Sequence, residues 1–396
     1  MHWSHPFLRR RALLTLLASF LTSAAWGGYA FSFEETFYQG TPTLDNGRIR
    51  FPDTNQNIPL SALWFVDFRD PAAYNDLGRF TPLSPFPQDQ FHGRGVLLAN
   101  GTFLSGLILK HDATEVEIIP DGQPRQTLPA EAVARLNFNA NLFGENPVVP
   151  DGTTGVVLKD GNFIEGDYQG VDENQVELHS VIFGPRRFPV NGIQGVVLQD
   201  HATASSQWIV AGKDGSQYLA NKLSIEGSQL RLEDLSIGSV TLPYDEIALI
   251  KAGRARAESL TELPYLRRAP STSTSDDLAV RSSPVTAAPL VVDPANHTIT
   301  MPAGNALAVR LNRQAWGFAA RIGVAPTASP LQAVRFRVLA DRKILYESQP
   351  KIVTDGEEVV VVRTPIRDFI VLEVLSVNEQ TNEAPGVWVE PVLLRN

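Results

Sequence analysis

"VLKDGNFIEG" (residues 157–166) sits inside a longer acidic stretch, "GVVLKDGNFIEGDYQGVDEN" at 155–174, that could be a calcium loop or a piece of scaffold. Two other segments align on its central Gly161 without gaps: "LLANGTFLSG" (97–106) on Gly101 and "AGKDGSQYLA" (211–220) on Gly215. In all three a proline follows 28 residues after the glycine, at Pro129, Pro189 and Pro243. Between these landmarks the apolar pairs Val116/Ile118, Val176/Leu178 and Leu230/Leu232 fall at one offset. After each proline come Val133, Leu136 and Phe138; Ile193, Val196 and Leu198; Ile247, Ile250 and Ala252. Matches at this many fixed offsets mark an internal repeat.

The same ending occurs upstream in "IPLSALWFVDF" (58–68), where Pro59 is followed by Leu63, Val66 and Phe68. The stretch before it lacks the glycine hairpin, so residues 26–70 read as a degenerate first copy, as terminal repeats often are. Full copies are expected at 95–140, 155–200 and 207–254, with a loop at 71–94 and a linker at 141–154.

Each copy reads as strand, hairpin, strand, strand, proline turn, strand. Asn-Gly and Asp-Gly are strong hairpin signals, and the spacing predicts a two-residue turn with positive φ at both central residues. The proline predicts one helical turn, in which its missing N–H costs nothing. Five strands in so few residues suggest small barrel-like domains, each with a marginal core of its own, so the copies should pack on one another. This pattern resembles the Sm-like small five-stranded β-barrels. Many of those bind RNA, but the loops here ("KHDATEVE", "VDENQVE", "IEGSQLR") are acidic or neutral, and no nucleic-acid partner is expected.

The copies also answer the calcium question. An EF-hand loop needs acids at alternate positions, then Gly and a distant Glu, and residues 160–174 do not supply that register. Where one copy has Asp160, Glu165 and Asp167, another has Asn100, Ser105 and Leu107. The shared Asx-Gly turn is therefore read as scaffold, with no metal and no cofactor.

The first 25 residues differ from the rest: Arg9, Arg10 and Arg11 precede the uncharged run "ALLTLLASFLTSAAW". This is the pattern of a signal peptide, with cleavage expected after Ala25 or, alternatively, Ala30. The run is shorter than a bilayer span, so no transmembrane segment is expected after cleavage. An exported protein, periplasmic or extracellular, follows. The absence of cysteine in the 396 residues fits a bacterial envelope and excludes disulfides and thiolate chemistry. Net charge is −9 and becomes more negative when the three signal arginines leave, which argues against nucleic acid and gives no reason to expect anionic lipid.

Residues 264–289, "PYLRRAPSTSTSDDLAVRSSPVTAAP", are rich in Ser, Thr, Pro and Ala and read as a flexible linker. Beyond it, 290–396 is strand-rich: "AVRFRVLADRKILYES" alternates and turns at Asp341–Lys343, and "EEVVVVRTPIRDFIVLEVLSV" and "GVWVEPVLL" supply further strands. The expectation is an all-β chain, with tandem five-stranded units followed by a jelly-roll-like β-sandwich.

"FAARIGV", "VRFRVLADRKILYES", "FIVLEVLSV" and "GVWVEPVLL", between Ala315 and Leu394, run in the order and spacing of the novel putative carbohydrate-binding module, NPCBM. The segment resembles that galactose-binding-like β-sandwich. It departs from the family pattern in "AGNALAVRLNRQAWG" (303–317), at Arg342 in the hairpin, and in "APGV" (384–387) before the last tryptophan. The resemblance implies an exported binding protein that contacts a polysaccharide or glycoprotein. Sugar rings need a flat aromatic face, and the candidates are Trp316, Tyr346 and Trp388. No nucleophile elbow, phosphate loop or paired metal histidines occur, so no enzymatic activity is expected. The alternative is an envelope assembly protein whose repeats and sandwich bind other proteins.

Overall fold

In the computed structural model the described residues are 28–68, 93–139, 149–268, 290–377 and 384–395, apart from 35–36, 46, 113, 151, 172–173, 203, 295–296 and 330. The expected signal and most of the loop expected at 71–94, of the linker at 141–154 and of the linker at 264–289 lie outside them. The described chain is all-β, its only helices being short 3-10 turns, and none of its helices is long and apolar enough to cross a membrane.

The three aligned copies fold alike. In the second unit the strands Gly95–Leu98, Phe103–His111, Glu115–Pro120, Gln126–Pro129 and Val133–Asn137 pair in sequence, and the fifth pairs back onto the first. Among the described residues no ladder joins the fourth strand to the fifth, so each unit is an open curled sheet, not the closed barrel the spacing suggested. The proline turn spans the gap. Pro129, Pro189 and Pro243 hold near-identical extended dihedrals, and each leads into a single 3-10 turn. The next backbone N–H, of Ala130, Val190 or Tyr244, donates to Thr114, Asn174 or Ser228 oxygen at 2.8–3.0 Å, which ties the turn to the start of the third strand.

The glycine hairpin differs from expectation. Leu98 N–H donates to Thr102 O and Gly101 N–H to Leu98 O, so the loop has three residues, and positive φ falls on the glycine alone. Gly101, Gly161 and Gly215 have φ of 96°, 84° and 94°. The preceding Asx side chain braces the turn: Asn100, Asp160 and Asp214 Oδ1 accept the N–H two residues on at 2.9–3.1 Å. That local hydrogen bond is why Asn or Asp recurs before the glycine, and among the described residues no cluster of metal-ligating side chains exists.

The degenerate first copy proves complete. Tyr29–Ser32, Phe37–Gln39, a hairpin of Thr43–Asp45, Arg48–Phe51 and Gln56–Pro59, and Leu63–Asp67 reproduce the order, with Leu60 N–H donating to Gly47 O across the proline turn. Its core is Ile49, Phe51, Ile58, Leu63 and Val66.

The four units join through like positions. Val133–Asn137 of the second unit pairs antiparallel with Ile193–Val197 of the third, and Ile247–Ala252 of the fourth with Leu63–Asp67 of the first. Both ladders share one register: Leu136 faces Val196 and Ile250 faces Val66, each the seventh residue after its proline. Phe103 faces Gln217 between the second and fourth units, and His111 faces Val171 between the second and third, again at matching repeat positions. Such self-complementary pairing is what a two-fold dimer interface uses, here built within one chain. One apolar core then runs through all four units, the answer to how sheets this small remain stable.

The C-terminal region is a two-sheet sandwich. One sheet orders Val291–Asp293, Thr298–Pro302, Pro385–Leu394, Gly317–Val324 and Glu358–Val362, with Ala257–Ser259 also on Pro385–Leu394. The other orders Tyr265–Arg268, Asn305–Arg310, Phe369–Ser376, Val334–Ala340 and Lys343–Glu347. Tyr265–Arg268 thus corrects the expected linker: its backbone pairs along Ala306–Val309, and an edge strand of this kind needs little apolar surface to be held.

Candidate functional site

The outer face of the first sandwich sheet is sealed by the repeats. Trp64 and Phe65 of the first unit and Ala211, Leu249 and Ala252 of the fourth form one buried cluster with Ala319, Val392 and Leu394 of the sandwich. Gly317–Val324 is buried at every residue, and that two-sided burial is why "FAARIGV" reads as a nearly unbroken apolar run.

A charged network lies within this junction. Lys251 donates to Glu390 at 2.6 Å, Arg321 donates to Glu357 at 2.7 Å, and Arg321 Nη2 lies 3.6 Å from the second Glu390 oxygen. Burial pushes the Glu390 carboxyl upward, but the charges of Lys251 and Arg321 outweigh it and hold the group below the usual carboxylate range. His297 is buried beside this network; burial, with the Lys251 charge adding to it, lowers its pKa to about 4.

The three aromatic candidates fall in three places. Trp388 is 0% exposed, edge-on to Phe318 and Phe336 in the sandwich core, and offers no face to a ligand. This corrects its place on the candidate list: it lies on the inward face of a central strand. Trp316 is half-buried at the junction, edge-on to Phe33, and its indole N–H donates to Arg395 O at 3.0 Å. It holds the repeats to the sandwich, a contact invisible in sequence because Phe33 lies in the first unit.

Tyr346 alone stays on free sandwich surface. It is half-buried on the edge strand Lys343–Glu347, packed on the core from one side. Its hydroxyl donates to Glu358 Oε1 at 2.6 Å, and Lys351 Nζ donates to Glu358 Oε2 at 2.9 Å. Glu358 opens the edge strand of the opposite sheet, so the three residues bridge the two sheets at the open side of the sandwich. Burial raises the Tyr346 hydroxyl well above its ordinary pKa, and the Glu358 contact adds to this, so it remains a donor. Burial also pushes Glu358 upward, but Tyr346 and Lys351 outweigh it and keep it ionised. A half-exposed ring beside an ionised carboxylate can stack on an apolar ligand face while the carboxylate accepts hydrogen bonds; Lys351, itself only 8% exposed, holds that carboxylate in place. Glu358 and Lys351 were missed in the sequence because they lie outside the aromatic pattern, on a different strand and loop.

The neighbouring hairpin turns where the sequence expected it, at Asp341–Lys343. Asp341 and Arg342 both take positive φ, 47° and 71°, and form a two-residue turn between Ala340 and Lys343, with Arg342 where the family pattern has glycine. The Asp341 carboxylate offsets the strain by accepting the N–H groups of Arg367, Asp368 and Phe369 at 2.9–3.4 Å.

Residues 265–394 match the family model described as NPCBM/NEW2 domain. Among solved structures the chain is similar to the CBM51 of a Clostridium perfringens protein in complex with methyl-galactose (18% identity, 24% of this chain, 68% of that one, TM-score 0.22). It is also similar to a Streptococcus pneumoniae fucose binding module (14% identity, 34% and 92% covered, TM-score 0.20). A Clostridium perfringens ZmpB fragment with CBM51-2 and INT domains matches at 11% identity, over 55% of this chain and 44% of that one, with TM-score 0.27. The chain therefore spans less than half of that fragment. No curated protein matches the chain.

Proposed function

We propose that this is an exported, non-catalytic protein that binds carbohydrate, a polysaccharide or glycoprotein glycan, at the open edge of its C-terminal sandwich. The observation that carries this reading is the NPCBM/NEW2 match over 265–394. The half-exposed Tyr346, flanked by Glu358 and Lys351, is the patch within that span whose chemistry suits a sugar. The four units, each an Sm-like arrangement left open, act as the base to which the sandwich is fixed.

The test is glycan-array and affinity-electrophoresis binding of the full chain, since a fragment starting near residue 290 would lack the strands Ala257–Ser259 and Tyr265–Arg268. Tyr346→Ala should weaken retention by about tenfold or more, as loss of a stacking aromatic does at small-ligand sites. Trp316→Ala should leave it intact. No retention on any glycan by the wild type would overturn the reading. A second reading, an envelope assembly protein, is favoured by the extensive strand pairing among the units, and crosslinking in the native envelope that recovers a stable neighbour would support it.

A further inference from the structure

We propose that two copies of this chain associate about a two-fold axis through their third units. The strand Phe163–Glu165 and the turn Val181-Ile182-Phe183 of one copy pack on the same elements of the other.

An interface inside the chain supplies the pattern. Phe103 and Gln217, each two residues after its hairpin glycine, face each other between the second and fourth units. Beside them Ser105 N–H donates to Ser216 Oγ at 3.0 Å, and Gln217 Nε2 donates to Gly101 O at 3.4 Å. The turn after each third strand closes the contact. Thr102 Oγ1 donates to Asp234 Oδ2 at 2.9 Å, where the turn of the fourth unit begins. Gln123 Nε2, from the turn of the second unit, donates to the Tyr218 hydroxyl at 3.0 Å. Every residue from Thr102 to Ser105 and from Ser216 to Leu219 is buried.

In the third unit the matching surface is open. Among the described residues Phe163–Glu165 pairs with Gly155–Leu158 along one edge and has no ladder along the other. Asn162 and Glu165 are exposed there, and Phe163 and Ile164 are half-buried. The adjoining turn carries Val181, Ile182 and Phe183 at 90%, 82% and 54% exposure. Isolated exposed apolar residues are ordinary, but a contiguous cluster marks a contact surface. The other units do not leave theirs free. Ile237, in the turn of the fourth unit, packs against the core. In the first unit the turn at Phe33 is taken by the sandwich, through Arg363 Nη2 to Phe33 O at 3.0 Å and the edge-on Trp316.

A second copy suits this surface because the internal interface joins like positions, and a two-fold axis brings like positions together. In that pattern Phe163 faces Phe163 of the second copy, as Phe103 faces Gln217. Phe183 stands at the repeat position of Gln123 and Ile164 at that of Tyr218, so the hydrogen bond of the internal interface becomes an apolar contact made twice. Glu165 falls opposite Gly161, which has no side chain, and the two Glu165 residues lie about 13 Å apart along the strands. The surface also carries both signs: Arg186 follows the turn, and Asp160, Glu165 and Asp167 lie on the hairpin, all exposed. The carboxylates oppose an anionic bilayer or nucleic acid. In a two-fold pair each turn, with Arg186 behind it, approaches the acidic hairpin of the other copy.

The experiment uses residues 26–396, the chain without its expected signal. The protein has no cysteine, so Phe163→Cys places a single thiol at the axis. Facing residues of antiparallel strands have Cα atoms about 4.5–5.5 Å apart, within disulfide range. Mild oxidation should link Phe163→Cys into a disulfide dimer and leave Thr241→Cys, on an exposed position of the fourth unit, unlinked. Sedimentation equilibrium of the wild type should show a reversible monomer–dimer equilibrium. Phe183→Asp should raise its dissociation constant by about tenfold or more with an unchanged melting curve. A wild type that stays monomeric at its highest soluble concentration, or a dimer that Phe183→Asp leaves intact, would overturn the proposal. So would Phe163→Cys that links no faster than Thr241→Cys. A monomer that co-sediments with vesicles of phosphatidylcholine and phosphatidylglycerol would also overturn it and reassign the turn to a bilayer.

Discussion

Lys251 and Glu390, 139 residues apart, meet at 2.6 Å where the last strand of the fourth unit crosses the last strand of the sandwich. Both are largely removed from water, and Arg321 approaches the same carboxylate from the sandwich side. The junction between the two halves is therefore specified by charge within an apolar seal, and removing Lys251 leaves the buried Glu390 carboxylate with Arg321 alone, at 3.6 Å. Lys251→Met should destabilise the protein by about 3 kcal/mol in denaturant unfolding, and Lys251→Met with Glu390→Gln should recover a large part of that loss. Equal loss in the single and double variants would show that the pair contributes packing alone.

His297 gives the junction a pH dependence. Its folded pKa, about 4, lies below the ordinary value near 6.5, so below that ordinary value the unfolded chain takes up a proton that the folded chain refuses. Stability from this group is complete above about pH 6.5 and falls as pH drops toward 4, by as much as about 3 kcal/mol. Glu390, whose pKa is depressed, adds a further loss in the same direction at lower pH, below the ordinary carboxylate range. Thermal melts from pH 7 to 4 should show the decline, and His297→Asn, which tolerates the positive φ of 49° at this position, should flatten the upper part of it.

The two tryptophans that the sequence offered as sugar-contact candidates should behave as structural residues of different kinds. Trp388→Ala removes a fully buried ring and should cost about 3–5 kcal/mol, lowering the melting temperature of the sandwich. Trp316→Ala should open the junction to limited proteolysis while leaving the sandwich core folded. If Trp388→Ala retained native stability, its place in the core would be refuted.

The pairing between the second and third units depends on Gly195, which faces Asn137. A Cβ there would sit 2.2 Å from the Leu136 carbonyl oxygen, so Gly195→Ala must shift the ladder. A loss of about 2 kcal/mol or more is expected, with faster hydrogen exchange at Leu136 and Val197 than at the Ile250–Val66 ladder. In the first–fourth pair the matching positions carry Phe65 and Leu249, whose side chains pack in the cluster that seals the sandwich.

Local chemistry was legible in the sequence. The Asx-Gly turns, the proline turns and the apolar offsets set which residues form strands and which face inward, because each depends on neighbours within one unit. The sandwich was legible too, through alternation around residues 334–347 and through its family likeness. The edge strand at 265–268 was not, since its residues are polar or exposed and its place is set by backbone pairing with Ala306–Val309.

What lay beyond the sequence was every fact that depends on which surfaces meet. Trp316 and Trp388 are both aromatic residues of the sandwich, yet one packs against a repeat and the other lies in the sandwich core, and of the three candidates Tyr346 is the one at an open edge. The repeat by itself determined the units and their turns, because hydrogen-bond geometry and side-chain period act over a few residues. The tertiary structure decided that like strands pair in a shared register, that Lys251 finds Glu390, and that "VIF" at 181–183 points into water, because burial is a property of neighbours that the chain brings together only when folded.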